Sequence, residues 1–247
     1  MTKKIIFLFF CWAIGVTIAP DLSFAQSINI DMGDGSGQTT SKIIQLFAII
    51  TVLSLAPSIL VMVTSFTRIV IVLSFIRTAL GLQQTPPNTV LISLALFLTF
   101  FIMQPVFNES YQNGIKPLID EKITEEQAIE PIFSPFHRFM IKNTRESDLS
   151  FFSNYASLED IKTADDIPFR VLIPSFMISE LRRAFEIGFL IFIPFLIIDM
   201  VVASTLMAMG MMMLPPVLIS LPFKIVFFVL IDGWLLITSS LVQSFAQ

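Results

Sequence analysis

Cysteine and histidine are almost missing from this chain: Cys11 and His137 are the only examples in 247 residues. A single cysteine cannot close a disulfide within the chain. A single histidine gives poor support to a zinc cluster or a Cys–His nucleophile pair. Charge is sparse as well, at 14% of residues against roughly 25% in a soluble domain. The net charge of −4 provides no basic face for nucleic acid. Glycine is scarce, with 9 residues. No Ser–His arrangement or phosphate loop is visible, so an enzyme is not expected. What remains is apolar: 55% of residues are hydrophobic, 26 are Phe, and the mean hydropathy is +0.82. That composition describes an all-α membrane protein, or a subunit of a membrane-embedded assembly.

Residues 1–25 read as a cleaved secretory signal peptide. Lys3–Lys4 form the charged start, Ile5–Ile18 the apolar region, and Ser23-Phe24-Ala25 the small-x-small site. Cleavage would put the mature N-terminus in the periplasm. Residues 26–41 are polar and carry Gly33, Gly35 and Gly37, which suits a flexible linker.

Residues 42–107 read as a first helical hairpin. Its leading arm, Ile43–Leu80, is too long for one simple span of about 20 residues, and Pro57 is the expected kink. Gly81 should end that helix. A polar turn with Pro86 and Pro87 follows, and Thr89–Phe107 returns as the second helix. Arg77, four residues before Gly81, suits a cytoplasmic end. Arg68 lies deeper and is expected inside an assembly.

Residues 108–170 differ in composition, with 12 acidic and 7 basic residues, and read as a helical periplasmic insert. Thr124-Glu125-Glu126-Gln127 offers a capping box. Pro131 and Pro135 should break the chain. Phe136, Phe139 and Met140 form a packing face in a helix expected over Phe136–Tyr155, with His137 beside it as a surface or packing residue.

Residues 171–247 read as a second hairpin, with a helix opening at Pro174–Ser175. On that helix, Glu180–Arg183 and Arg182–Glu186 stand at pairing distances. Two apolar runs, Gly188–Leu206 and Val217–Val242, then enclose Asp199, Lys224 and Asp232. A charge in mid-span is costly unless it faces protein or water. A turn centred near Pro215 sets Asp199 opposite Asp232 and Lys224 opposite Leu206. In that register Lys224 must find its carboxylate on a neighbouring subunit, or Asp199 serves instead as a proton relay.

Between the runs lies Met207–Pro216, MAMGMMMLPP, which holds 5 of the chain's 12 methionines. A turn needs Gly210, Pro215 and Pro216, but it does not need the methionines. They are either apolar filler or a deformable surface.

Several stretches together resemble the FliP family of flagellar biosynthesis proteins, export-gate subunits related to virulence type III secretion systems. They are TSFTRIVIVLSFIRTALG (Thr64–Gly81), PPN with LALFLTFFIM (Pro86–Met103), IPFLIIDMVVAS (Ile193–Ser204), and MGMMMLPP with LPFK and DGW (Met209–Trp234). The resemblance implies five copies in a ring with FliQ, FliR and FlhB, in the inner membrane within the flagellar basal body. It implies tilted hairpins, unfolded flagellar proteins passing through the centre, and a gasket of Met209, Met211, Met212 and Met213. Arg68, Glu180, Arg183, Asp199, Lys224 and Asp232 would then face neighbouring subunits, not lipid. No cofactor is implied. The competing expectation is a secondary transporter built around Asp199, Lys224 and Asp232. Such a protein should show repeated halves and glycine-interrupted half-helices, which are not visible here.

Overall fold

The computed structural model describes residues 36–156, 166–211 and 213–246. The expected signal peptide with Cys11, the expected linker up to residue 35, and Met212 of the methionine loop lie outside the described residues. Among those described, all regular structure is helical. The helices are α1 (Ser36–Met62), α2 (Phe66–Ala79), α3 (Asn88–Ser110), α4 (Lys116–Ile119), α5 (Glu125–Asn143), α6 (Glu146–Tyr155), α7 (Phe169–Ala208), α8 (Pro216–Leu230) and α9 (Gly233–Ala246). A π-helical turn, Tyr111–Ile115, joins α3 to α4.

The chain divides into two units, Met1–Val52 and Leu53–Gln247. In the first, the described part of α1 exposes Ile43, Ile44, Phe47 and Ile50. Its helix already starts at Ser36, inside the stretch expected to be linker. In the second unit, α1 continues through position 57 and stops at Met62, so the interruption falls at Val63–Ser65 and not at Pro57. One proline in a long apolar helix removes a single backbone bond, and here that loss does not end the helix.

The core of the second unit is the packing of α2 on α7. Along α7 every fourth residue is buried, Leu172, Phe176, Glu180, Ala184 and Gly188, which makes one continuous stripe. α2 answers with Arg68, Ile69, Val72, Leu73, Ile76 and Ala79. Arg68 bonds Glu180, and Phe75 lies against Gly188. The offset between partners stays nearly constant, so the two helices run parallel. A Cβ on Gly188 would come within 2.5 Å of the Phe75 ring, and the absence of one lets the helices approach. α3 adds its own period-four stripe, Leu91, Ala95, Thr99 and Met103. A second core of Val63, Met140, Ile167, Val171, Leu172 and Phe176 seats α5 on the first turns of α7.

In the insert, the Thr124 hydroxyl accepts from Gln127 N and the Gln127 side chain accepts from Thr124 N, which completes the capping box. Met140 is fully buried and Phe139 rings meet Phe176 and Phe245, as the packing face requires. His137 is a packing residue. Its Nε2 lies 2.7 Å from the Ile167 carbonyl and its ring meets Phe169 edge-on. Pro131 and Pro135 do not break the chain; both lie inside α5. Set four residues apart, they fall on nearly one face, and the helix closes around them. The expected helix Phe136–Tyr155 is instead two, parted at Thr144, whose backbone is extended.

α7 is one helix of 40 residues that starts at Phe169, ahead of Pro174, and also carries Pro194. Among the described residues, two stretches are long and apolar enough to cross a membrane, Asn88–Ile119 and Phe169–Ala208. A third is possible by length if α8 and α9 count as one span despite a bend of 61° between them. The apolar run Val217–Val242 is therefore not straight. It turns at Asp232, which adopts φ +53. Asp is among the few residues that accept this conformation.

Candidate functional site

The methionine loop is the tip of the α7–α8 hairpin. α7 ends with Gly210 at φ +75. Gly210 N donates to Met207 O at 3.0 Å and Met211 N to Leu206 O at 3.0 Å, the paired bonds of a Schellman motif. Pro215 then caps α8 and Pro216 supplies its first residue, where no backbone donor is needed. Within this frame the thioethers stand outward: Met207, Met209 and Met211 are exposed, and Met213 is 98% exposed.

Below the tip, the hairpin is closed by charge. Lys224 Nζ lies 2.6 Å from Asp199 Oδ2, and Ser220 Oγ donates to Asp199 Oδ1 at 2.5 Å. This corrects the register expected from sequence. The pairing of Asp199 with Lys224 centres the hairpin between Met211 and Met212, because Pro215 and Pro216 begin α8 and do not occupy the turn's middle. Lys224 thus has its carboxylate within its own chain. The ammonium also donates to Ala79 O at 3.2 Å. That carbonyl lies in the last turn of α2, which ends in a second Schellman motif at Gly81, with φ +78. A cation there satisfies an otherwise unpaired acceptor and the negative end of the helix dipole.

A second charged centre lies nearer the start of α2. Arg68 is 2% exposed and Glu180 fully buried. Arg68 Nε donates to Glu180 Oε2 at 2.9 Å and Nη2 bonds Oε1, a bidentate fork. Nη1 reaches Ser244 Oγ at 3.0 Å, and the guanidinium carbon sits 3.7 Å from the Phe245 ring centroid. The end of α9 therefore forms the lid on this pair. Arg68 is buried, as expected, but within its own subunit.

The local pairs expected on α7 do not form. Glu180 turns inward to Arg68. Arg182 instead reaches Asp148 at 3.3 Å, and Glu186 takes Arg145 at 3.1 Å. Arg183 is exposed. Asp232 is exposed at the α8–α9 corner, so it is not a buried charge within the chain. Arg77 donates to Asn88 Oδ1 at 2.6 Å and to Pro86 O at 3.2 Å, tying the Pro86–Pro87 turn to α2.

Asp148, Ser179, Ser220, Ser244 and the Ala79 carbonyl went unnoticed in the sequence. Asp148 is 6% exposed and accepts from Ser179 Oγ at 2.8 Å. Ser220 had a readable signal: it stands four residues before Lys224, on the same helix face. Among the described residues no group of His, Cys, Asp and Glu could hold a metal.

A family model described as FliP family matches residues 49–241. The flagellar biosynthetic protein FliP of Caulobacter vibrioides is 56% identical over 236 residues, covering 95% of this chain and 88% of the relative. That of Bacillus subtilis is 58% identical over 220 residues, covering 89% and 99%. That of Agrobacterium fabrum is 50% identical over 241 residues, covering 96% and 98%.

Proposed function

The chain belongs to the FliP family, and from that premise we propose that it is a core subunit of the flagellar type III protein export gate. In this reading five copies form a ring with FliQ, FliR and FlhB in the inner membrane of the basal body, after removal of a signal peptide. Unfolded flagellar proteins pass through the ring's centre during flagellum assembly. The subunit performs no catalysis.

One observation carries the reading. A cluster of flexible, polarizable thioethers is held outward at the tip of a hairpin with defined stops at both ends. Exposed apolar side chains are common along the helices; these thioethers differ in falling together at a turn. Copies of Met209, Met211 and Met213 brought together on an axis, with Met212 between them in the chain, make a soft seal that yields to varied polypeptides and closes behind them. Motion through such a seal needs no specific binding site, which suits substrates that differ in sequence.

The test compares assembly with sealing. Purified from membranes in detergent, the protein should run as a ring-sized homo-oligomer; a monomer or dimer would refute the ring. Met211→Ala with Met213→Ala should assemble normally yet let small solutes leak across the membrane. A tight membrane with normal export in that variant would return the methionines to filler.

A further inference from the structure

The tip of the hairpin can seal only if it is held at a fixed height, and the loop itself has little to hold it. Met207, Met209, Met211 and Met213 are all exposed, and the loop's backbone bonds are to its own helix ends. The first polar tie below the loop is the Asp199–Ser220–Lys224 cluster. Asp199 stands nine residues before the end of α7 and Lys224 eight residues after the start of α8, each about 12–14 Å down its helix. The tie is thus level on both arms.

Lys224 does more than close the hairpin. It is 4% exposed, and its ammonium is shared between Asp199 on α7 and the Ala79 carbonyl at the end of α2. α2 is the best-buried helix of the core and is fixed to α3 through Arg77, Pro86 and Asn88. Beside the apolar packing of α2 on α7, this one side chain makes the polar link from the methionine hairpin to the end of α2. A lysine can do this because its three donors point in different directions from one atom. Ser220, by contrast, reaches only Asp199 and its own helix at Val217 O.

We propose that Lys224 is a positioning residue for the methionine loop: through Asp199 and the Ala79 carbonyl it sets the height of the loop above the α2–α3 turn. The seal it serves rests on the gasket reading above, but the positioning itself does not depend on that reading.

The experiment measures both. In a Cys11→Ser background, spin labels at Gln83→Cys, on the α2–α3 turn, and Met213→Cys, on the loop, report the distance between them in the purified assembly. Labelled copies are diluted with unlabelled chain. Lys224→Met combined with Asp199→Asn removes the tie and strands no buried charge. It should broaden the distance distribution and raise solute leak about tenfold, the population change expected from loss of one charge-assisted hydrogen bond. Lys224→Arg, which keeps a charged donor, should recover the narrow distribution. An unchanged distribution in the double variant overturns the positioning role, whatever the leak. A broadened distribution without leak, when Met211→Ala with Met213→Ala does leak, overturns the link from height to sealing. If the methionine variant is also tight, the gasket reading fails, and the broadened distribution still supports Lys224 as the residue that places the loop.

Discussion

Two of the described cations, Arg68 and Lys224, are buried, and they are held differently. Arg68 meets Glu180 from 112 residues away, with a planar fork, a hydroxyl from Ser244 and the face of Phe245. The pair is sealed, at 2% and 0% side-chain exposure. Lys224 meets Asp199 from 25 residues away, and the carboxylate keeps 30% exposure. Guanidinium geometry suits a fixed, bidentate, desolvated staple; an ammonium suits a point where several acceptors converge. The first centre therefore holds the two halves of the sequence together. The second closes a hairpin and links it to the end of α2.

The comparison breaks most readily at Glu180. Glu180→Leu leaves Arg68 buried without its carboxylate and should cost about 3–5 kcal/mol, read as a lower melting temperature in detergent and poor accumulation in the membrane. Arg68→Leu added to Glu180→Leu should recover most of that loss. Asp199→Asn should cost less, about 1.5–3 kcal/mol, because the half-open site admits other partners for Lys224. A larger loss here than at Glu180 would reverse the ranking of the two centres. Gly188→Ala probes the parallel contact that lies between the two centres. Its Cβ would meet the Phe75 ring, and overpacking should cost about 1–3 kcal/mol, with Phe75→Leu restoring stability. Ser220→Ala should be mildest, about 1 kcal/mol. Its thermal stability should stay close to that of the unsubstituted protein if Lys224 alone carries the tie.

Much of this architecture was legible because it depends on neighbours in sequence. Helical periodicity, the Thr124–Gln127 box, the stop at Gly81 and the packing face of Phe139 and Met140 all act within a turn or two. The charge partners were not legible for the opposite reason. Glu180 had Arg183 in reach on its own helix, and only the arrival of α2 made Arg68 the better partner, since a buried carboxylate gains more from a bidentate fork than an exposed pair gains in water. The hairpin centre was misplaced because Pro215 and Pro216 resemble a turn, whereas they serve as the start of a helix. Pro57, Pro131 and Pro135 were over-read in the same way: one missing amide is a small loss beside the backbone bonds that the rest of a long helix keeps.

The wide separation of Arg68 from Glu180 also has a meaning in time. At synthesis rates of about 5–20 residues per second, Arg68 is made roughly 6–22 seconds before its carboxylate exists. Lys224, by contrast, is made after Asp199 and meets a partner already in place. For nearly half of its synthesis, 112 of 247 residues, the chain therefore carries a lone guanidinium within an apolar segment, where an unpaired charge is costly. Final seating of α2 must wait for α7, and the sealed core can close only after the last residues of α9 have left the ribosome to cover it.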